Sequence, residues 1–494
     1  MGVFLNLKHK EEYIMRFCIL GAGKSGVAAA VLANTINNIN TKHCADNSIK
    51  DCVFVREIQP KKKFSKEIKL FDLLGIKYEF GIASQCKIRA KRTLHTYDVL
   101  IISPGVPADA PFILIAKKLG IPVYSEMEFA SQYITNPIIA ITGTNGKTTT
   151  TTLIDYILNN SNVPAVRGGN IGIPLSEIAT EILSKKNRIN KDTIIVLEVS
   201  SYQLEFIKTF KPNAAVILNI TPDHLKYHIT MENYIAAKLK IATNQNENDI
   251  LILNADDENL DCKDIENFKQ KNNIKSQIYL FSLSPVKRGI YVTDGKIINS
   301  LYNNEEEIMK TEEIKIPGIH NQYNSMAAAI VAKVWQLSNE NIRDGLRKFD
   351  GVEHRLEFVR TINDVDYIND SKATNVNATW YAINSYERPV IWLAGGRGDN
   401  NDYSMLDKLV LKNVKQIITF GEEKEAIFSH YKNVTDCMKV DNLFSAVENA
   451  FMIAKPNDIV LFSPACKSFD QFLNFEQRGE YFKQIVHQLI TMLN

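Results

Sequence analysis

The run Ile139-Ala140-Ile141-Thr142-Gly143-Thr144-Asn145-Gly146-Lys147-Thr148-Thr149-Thr150 leaves the fewest choices of fold: apolar, largely β-branched residues enter a glycine loop that ends in Gly-Lys-Thr and continues as a helix-like stretch. A strand passing through a glycine loop directly into a helix is a unit of a parallel α/β sheet. Glycines let backbone N–H groups curl around phosphate oxygens, and the following helix N-terminus favours negative charge. In that geometry Lys147 bridges the outer phosphates of a nucleoside triphosphate and Thr148 holds Mg²⁺, with Gly143, Thr144, Asn145, Gly146 and Thr149 around them. The loop is the short Gly-x-x-Gly-Lys-Thr form, because position 141, where a standard P-loop has glycine, is isoleucine.

Two further segments of the same kind flank it. Phe17-Cys18-Ile19-Leu20 followed by Gly21-Ala22-Gly23-Lys24-Ser25-Gly26 and an alanine-rich run reads as strand, glycine turn and helix. A dinucleotide site wants an acid about 20 residues after the glycines. Here Val53-Phe54-Val55-Arg56-Glu57 arrives later, delayed by an Asn-rich stretch from Asn34 to Asn47. Val99-Leu100-Ile101-Ile102 is a buried strand stopped by Ser103-Pro104-Gly105-Val106-Pro107, at the edge where open α/β sheets bind ligands. Beyond the phosphate loop, strands are predicted at 193–198 and 214–219, then at 389–394, 414–420 and 458–462. Segments 184–192 and 262–276 are Lys/Asn-rich and are expected to be exposed connections. The prediction is an α/β protein of three domains, 1–125, 126–351 and 352–494. The first and last are Rossmann-like, and the central one is a P-loop ATPase domain with a mainly parallel sheet.

A chain of 494 residues is long enough for about three cores, and its formal net charge of +2 gives no field for nucleic acid or an acidic membrane. The Lys61-Lys62-Lys63 run lacks interleaved aromatics and reads as a solvated loop. The cysteines at 18, 44, 52, 86, 262, 437 and 466 form no Cys-x-x-Cys pair, which argues against structural zinc and a disulfide framework. No apolar run approaches membrane-spanning length, so a cytoplasmic protein with no membrane insertion is expected.

Chemistry concentrates at strand ends. Glu198, closing an apolar strand before Val199-Ser200-Ser201, stands where a P-loop enzyme places a carboxylate for Mg²⁺. Asn219-Ile220-Thr221-Pro222-Asp223-His224 follows the next buried strand and would bring His224 towards the same phosphates. By residue type alone, His224 reads as a surface turn residue and Lys238, in Tyr234-Ile235-Ala236-Ala237-Lys238, as a solvated helix lysine.

These motifs, with Gly318-Ile319-His320-Asn321-Gln322-Tyr323-Asn324, Glu353-His354-Arg355 and Asn369-Asp370-Ser371-Lys372-Ala373-Thr374-Asn375, occur in the order of the Mur ligase family, which the chain resembles from about residue 17 to its end. Ser463-Pro464-Ala465-Cys466-Lys467-Ser468-Phe469-Asp470 and Asn474-Phe475-Glu476-Gln477-Arg478-Gly479 resemble the D-glutamate-adding branch. The resemblance implies a cytoplasmic monomer of peptidoglycan precursor synthesis. Its substrates would be ATP, UDP-N-acetylmuramoyl-L-alanine and D-glutamate, and an acyl phosphate would be attacked by the amine. It implies two Mg²⁺ ions, one on Thr148 and Glu198, the other on His224 and a carbamylated Lys238. It places Asn321, Arg355 and Asp370 on the nucleotide, Lys24, Ser25 and Asn170 on the UDP substrate, and Lys372, Thr374, Ser468 and the backbone around Phe475 on the amino acid. Lys147, His224, Lys238 and Lys372 would be catalytic, in a site that closes between domains.

The chain departs from the family twice. Where the family continues Gly-Gly-x-x-Lys, with that lysine clamping a carboxylate of D-glutamate, this chain reads Gly395-Gly396-Arg397-Gly398-Asp399-Asn400-Asn401. Asp399 takes the lysine's place and would repel a substrate carboxylate by about 1 kcal/mol or more at short range. Arg397 could swing in, or the acceptor could differ. Secondly, Arg56-Glu57 stands where the family tends to show Asp and small hydroxyl residues for the uridine nucleotide. The alternatives are a sister ligase with another acceptor, a nucleotide-binding paralogue that has lost catalysis, and a nicotinamide-dependent oxidoreductase using Gly21 to Gly26. The last explains nothing after residue 130.

Overall fold

The computed structural model describes residues 14–41, 52–81, 91, 93–184, 189–302, 304–399 and 401–489. Cys44, Cys86, Asn400 and residues 42–47 of the Asn-rich stretch lie outside them, as do residues 185–188. The chain divides into two compact units, Met1–Ile308 with Met326–Ile342, and Met309–Ser325 with Arg343–Asn494.

The first unit carries two sheets. Strands β1 (Phe17–Leu20), β2 (Val53–Glu57), β3 (Lys77–Phe80), β4 (Val99–Ile102) and β5 (Val123–Ser125) form a parallel sheet in the order β3-β2-β1-β4-β5. Every residue of β1 and β4 is buried, as continuous apolar runs covered on both faces require. The glycine turn after β1 opens the Lys24–Thr41 helix. Lys61–Lys63, expected as a solvated loop, is a turn of 3₁₀ helix with no buried residue, and the Lys61 ammonium lies over the Tyr78 ring at 5.4 Å.

The second sheet has the order β14-β13-β12-β11-β10-β9-β6-β8-β7. Its parallel core is β6 (Ile138–Thr142), β7 (Ala165–Gly169), β8 (Ile194–Glu198), β9 (Ala214–Ile217), β10 (Ile250–Asn254) and β11 (Gln277–Ser282). The remainder, β12 (Gly289–Thr293), β13 (Lys296–Asn299) and β14 (Glu306–Lys310), includes the antiparallel hairpin of β12 with β13. Its short alternating runs escaped a search for continuous apolar strands. The segment 262–276, expected as an exposed connection, contains the Ile265–Asn272 helix, capped by the Asp264 side chain on the Asn267 N–H and anchored by buried Phe268. Two acids of the Glu126–Ser131 helix tie the two sheets together. Glu126 accepts from Ser176 N, and Glu128 accepts from the backbone N–H groups of Lys208, Thr209 and Phe210.

In the second unit β15 (Glu357–Ile362), β16 (Val365–Asn369), β17 (Val390–Gly395), β18 (Val414–Phe420), β19 (Asp436–Lys439) and β20 (Ile459–Phe462) form a sheet ordered β15-β16-β20-β17-β18-β19. It is parallel except for the β15–β16 hairpin, whose turn residues Asn363 and Asp364 both take positive φ. That hairpin delivers Asn369 and Asp370 to the carboxyl edge beside the end of β20. Apolar clusters fill both faces, around Trp392 on one and Phe462 on the other. Among the described residues no helix is long and apolar enough to cross a membrane.

Candidate active site

The phosphate loop is held open by its neighbour strand. After β6, Thr144 N donates to Asn219 O and Asn145 N to Asn219 Oδ1, while Asn219 Nδ2 returns a bond to Asn145 O. Thr144 Oγ1 bonds to Thr221 O and to the Tyr234 hydroxyl, both at 3.1 Å. The Lys147–Asn160 helix starts at once from Gly146. Lys147 Nζ folds back onto the carbonyls of Gly143 at 2.9 Å and Thr144 at 2.8 Å.

The Gly143 carbonyl accepts a second lysine, Lys238, whose Nζ lies 2.8 Å away and 4.6 Å from the Tyr234 ring centroid. Reading Lys238 as a solvated helix lysine is therefore wrong: only 1% of the residue is exposed. The cause is the i, i+4 spacing on the Met231–Leu239 helix, which turns Tyr234 and Lys238 together into the phosphate loop. Two ammonium groups on one buried carbonyl repel. Burial first, and the nearby Lys147 second, push Lys238 well below the usual lysine range, against a smaller opposing pull from Asp223. Lys238 therefore gives up its proton at lower pH than a surface lysine does.

Glu198 is 2% exposed. Asn170 Nδ2 donates to its Oε1 at 3.0 Å, and Oε2 finds no hydrogen-bond partner among the described residues. Asn145 Nδ2 and Thr221 Oγ1 are also buried and unpartnered there. Gly169 makes this approach possible, since a Cβ on it would lie 2.2 Å from the Glu198 carbonyl oxygen and its φ is +102°. Lys24 Nζ reaches Gly172 O, so the glycine turn of the first sheet meets the loop that carries Asn170. Ser25 is half-buried in the first turn of the same helix.

His224 is a half-exposed turn residue at φ +54°, as its residue type suggests, yet it faces the cluster. Burial lowers its imidazole below the ordinary value. Asp223, 3.5 Å away, opposes this, while Lys147 and Lys238 reinforce it. Its ring lies 5.2 Å from Tyr202 and 6.4 Å from Tyr234. Sequence reasoning missed His228, which is buried, bonded to Ser201 Oγ at 2.9 Å and packed on Tyr202 and Tyr234. Its one-turn spacing from His224 was the available signal. At the end of β4, the turn Ser103-Pro104-Gly105 lines a cleft with Tyr202, Gln203 and Tyr227, and Gln203 Nε2 is buried without a partner among the described residues.

The donor set can be tested against Mg²⁺. Among the described residues no three of His, Cys, Asp and Glu converge as a ready-made metal cluster. Thr148 and Glu198 nevertheless offer hard oxygen donors, one of them a buried orphan, and they fit a cation that keeps several waters and borrows phosphate oxygens. His224 offers a neutral ring nitrogen. Lys238 donates to Gly143 O, and as an ammonium it would repel a cation, so it fits the ligand role once its nitrogen carries an acid group.

In the second unit Asp370 is 4% exposed, and burial pushes its carboxyl up to about 7 against the lowering effects of Ser463, Arg355, Leu356 N and Lys372. Its oxygens accept from Ser463 Oγ at 2.7 Å and from Leu356 N at 3.3 Å, the residue after Arg355. Asn321 is buried, with Nδ2 on Pro317 O and Oδ1 accepting from Asn324. Lys372 Nζ lies 5.7 Å from the Phe475 ring centroid, and Ser371 Oγ donates to Phe475 O. Thr374 follows in the same tight turn, its N–H on Lys372 O, and Ser468 is buried near the end of β20. The swing of Arg397 into the place of Asp399 is not what the structure shows: Arg397 makes a two-pronged pair with Glu422, both contacts at 2.8 Å.

Comparison with known proteins adds three findings. The model of the Mur ligase middle domain matches residues 141–332, and that of the Mur ligase glutamate ligase domain matches residues 354–466. The UDP-N-acetylmuramoylalanine–D-glutamate ligase of Christiangramia forsetii is 40% identical over 477 residues, covering 96% of this chain and 99% of that one. The enzyme of the same name from Koribacter versatilis is 39% identical over 475 residues, covering 96% and 97%. Among solved structures, UDP-N-acetylmuramate-alanine ligase from Thermotoga maritima shares the fold at a TM-score of 0.55 and 17% identity, over 96% of this chain and 99% of that one. MurF from Acinetobacter baumannii does so at 0.56 and 18%, over 78% and 85%.

Proposed function

This chain belongs to the Mur ligase family, and on that premise we propose that it uses ATP to join D-glutamate to UDP-N-acetylmuramoyl-L-alanine, in the cytoplasm, for peptidoglycan precursor synthesis. The observation that carries the chemistry is the convergence of Lys147 and the buried Lys238 on one carbonyl of the phosphate loop. Full-length identity of about 40% to enzymes named for D-glutamate supports the acceptor. The three-domain reading assigns 1–125 to the UDP substrate, through Lys24 and Ser25 with Asn170 of the second domain beside them, 126–351 to ATP, and 352–494 to amino acid and nucleotide.

A carboxylate oxygen of the alanyl group attacks the γ-phosphorus of ATP, the bond to the β-phosphate oxygen breaks, and ADP leaves. The amino nitrogen of D-glutamate then attacks the acyl carbon, phosphate departs with the bonding pair, and the nitrogen gives up its extra proton. Lys147, turning from the Gly143 and Thr144 carbonyls to the phosphates, offsets charge gathering on the transferred group. Thr148 and Glu198 would hold one Mg²⁺, and His224 with carbamylated Lys238 a second; such ions neutralise crowded oxyanions. The neutral amine of Lys238 is the form that takes up CO₂. Asn321, Arg355 and Asp370 would bind the nucleotide, and Lys372, Thr374, Ser468 and the Phe475 backbone the acceptor, Lys372 offering an N–H donor to a carboxylate. With UDP-N-acetylmuramoyl-L-alanine labelled by ¹⁸O in its carboxylate, one label should appear in the released phosphate and the other in the amide. Phosphate free of label would exclude the acyl phosphate.

A further inference from the structure

The loop that departs from the family is bridged to the loop after β20, which carries a lysine. After β17, Gly395 N donates to Pro464 O, Arg397 N to Lys467 O at 2.8 Å, and Lys467 N returns to Arg397 O at 3.0 Å. This antiparallel bridge fixes the backbone of Lys467 against the loop. It closes because residue 396 is glycine: its φ is +130°, and a Cβ would stand 2.3 Å from Lys467 O. From the other side the buried Arg478 guanidinium donates to Cys466 O at 3.0 Å and to Ser371 O at 2.8 Å. One side chain therefore ties the backbone beside Lys467 to the backbone beside Lys372.

From this fixed base the Lys467 side chain reaches Asp399, Nζ to Oδ2 at 3.0 Å, with 45% and 59% of the two side chains exposed. Arg397, the other cation of the loop, is engaged by Glu422. We infer that Lys467 supplies the cation for the distal carboxylate of the acceptor amino acid, and that Asp399 is the positioning residue that aims it. An ammonium has three N–H donors, so the bond to Asp399 leaves others for a ligand. The positive charge has moved from position 399 on one loop to position 467 on the other, and Asp399, which would repel a dicarboxylate alone, is neutralised by the lysine it orients. Ser468, the next residue, is buried and on the acceptor side of the proposed function, on which this inference rests.

The test is steady-state kinetics of the full chain with ATP and UDP-N-acetylmuramoyl-L-alanine saturating and D-glutamate varied. Wild-type turnover with D-glutamate is the first arm, and an inactive wild type overturns the proposed function and this inference with it. Given that turnover, Lys467→Ala should raise KM for D-glutamate about 10- to 100-fold, the loss of a charge-assisted bond, with KM for ATP unchanged. Asp399→Lys introduced into Lys467→Ala should recover most of that loss, which a merely structural role for Lys467 would not allow. An unchanged KM for D-glutamate in Lys467→Ala overturns the assignment while leaving the proposed function standing. Failure of the Asp399→Lys rescue in a variant that melts like wild type overturns it as well.

Discussion

Replacing Asp370 by asparagine should make the nucleotide-free protein more stable at pH 8 while impairing catalysis. Asp370 is buried, and its carboxyl is raised from 3.8 to about 7, with burial the largest cause. The sign follows from proton binding. The folded chain holds this proton more tightly than the unfolded chain, so between about pH 4 and 7 folding takes up a proton. Stability from this group is greatest below that window, falls as pH rises through it, and is fully lost above about 7. A displacement of this size corresponds to about 4 kcal/mol as an upper bound. Asparagine keeps an acceptor for Leu356 N, but Ser463 Oγ must turn from donating to accepting, at a cost of about 1 kcal/mol. The net gain at pH 8 is therefore about 1–3 kcal/mol. For a unit of this size each kcal/mol raises the melting midpoint by about 2–4 °C. Thermal melts of wild type and Asp370→Asn at pH 5 and pH 8, without nucleotide, measure it: the variant should gain at pH 8 and show little gain at pH 5. A variant equally destabilised at both pH values would refute the argument from burial.

Lys147→Ala should abolish phosphate release yet melt within about 1–2 °C of wild type, because the Gly143 and Thr144 carbonyls that its Nζ reaches belong to its own loop; assay and melt together check it. Lys238→Ala should be inactive, unrelieved by bicarbonate but partly restored by a small carboxylate such as acetate or propionate; full activity would remove the carbamate role. Glu198→Gln should leave the fold intact, since Oε2 has no hydrogen-bond partner among the described residues, and should raise the Mg²⁺ concentration for half-maximal rate about tenfold or more. A Mg²⁺ titration of phosphate release reads that shift.

The parts of this protein legible in its sequence are those where one local pattern decides. Apolar runs stopped by glycine, by Ser-Pro-Gly or by a polar cluster gave β1, β4, β6 and β8, and placed Glu198 at a strand end. Burial of Lys238 was not legible, because the residue type favours solvent and only the tertiary position of the Gly143 carbonyl gives its amine a partner. The Ile265–Asn272 helix was missed because its polar composition reads as loop until its cap and one buried Phe268 are seen, and the β12–β13 hairpin because its runs are short. The Asp399–Lys467 pair lies further from local pattern still. Its partners are 68 residues apart and meet only through the bridge between the ends of β17 and β20.

The central claim is the identity of the amide formed. The most direct measurement offers the purified protein ATP, Mg²⁺ and UDP-N-acetylmuramoyl-L-alanine with D-glutamate, L-glutamate, D-aspartate, glycine or lysine in turn, following phosphate release and the mass of the product. The account predicts release and a product heavier by one glutamyl residue with D-glutamate alone. Turnover with a different amino acid, or none with any of them, would contradict it.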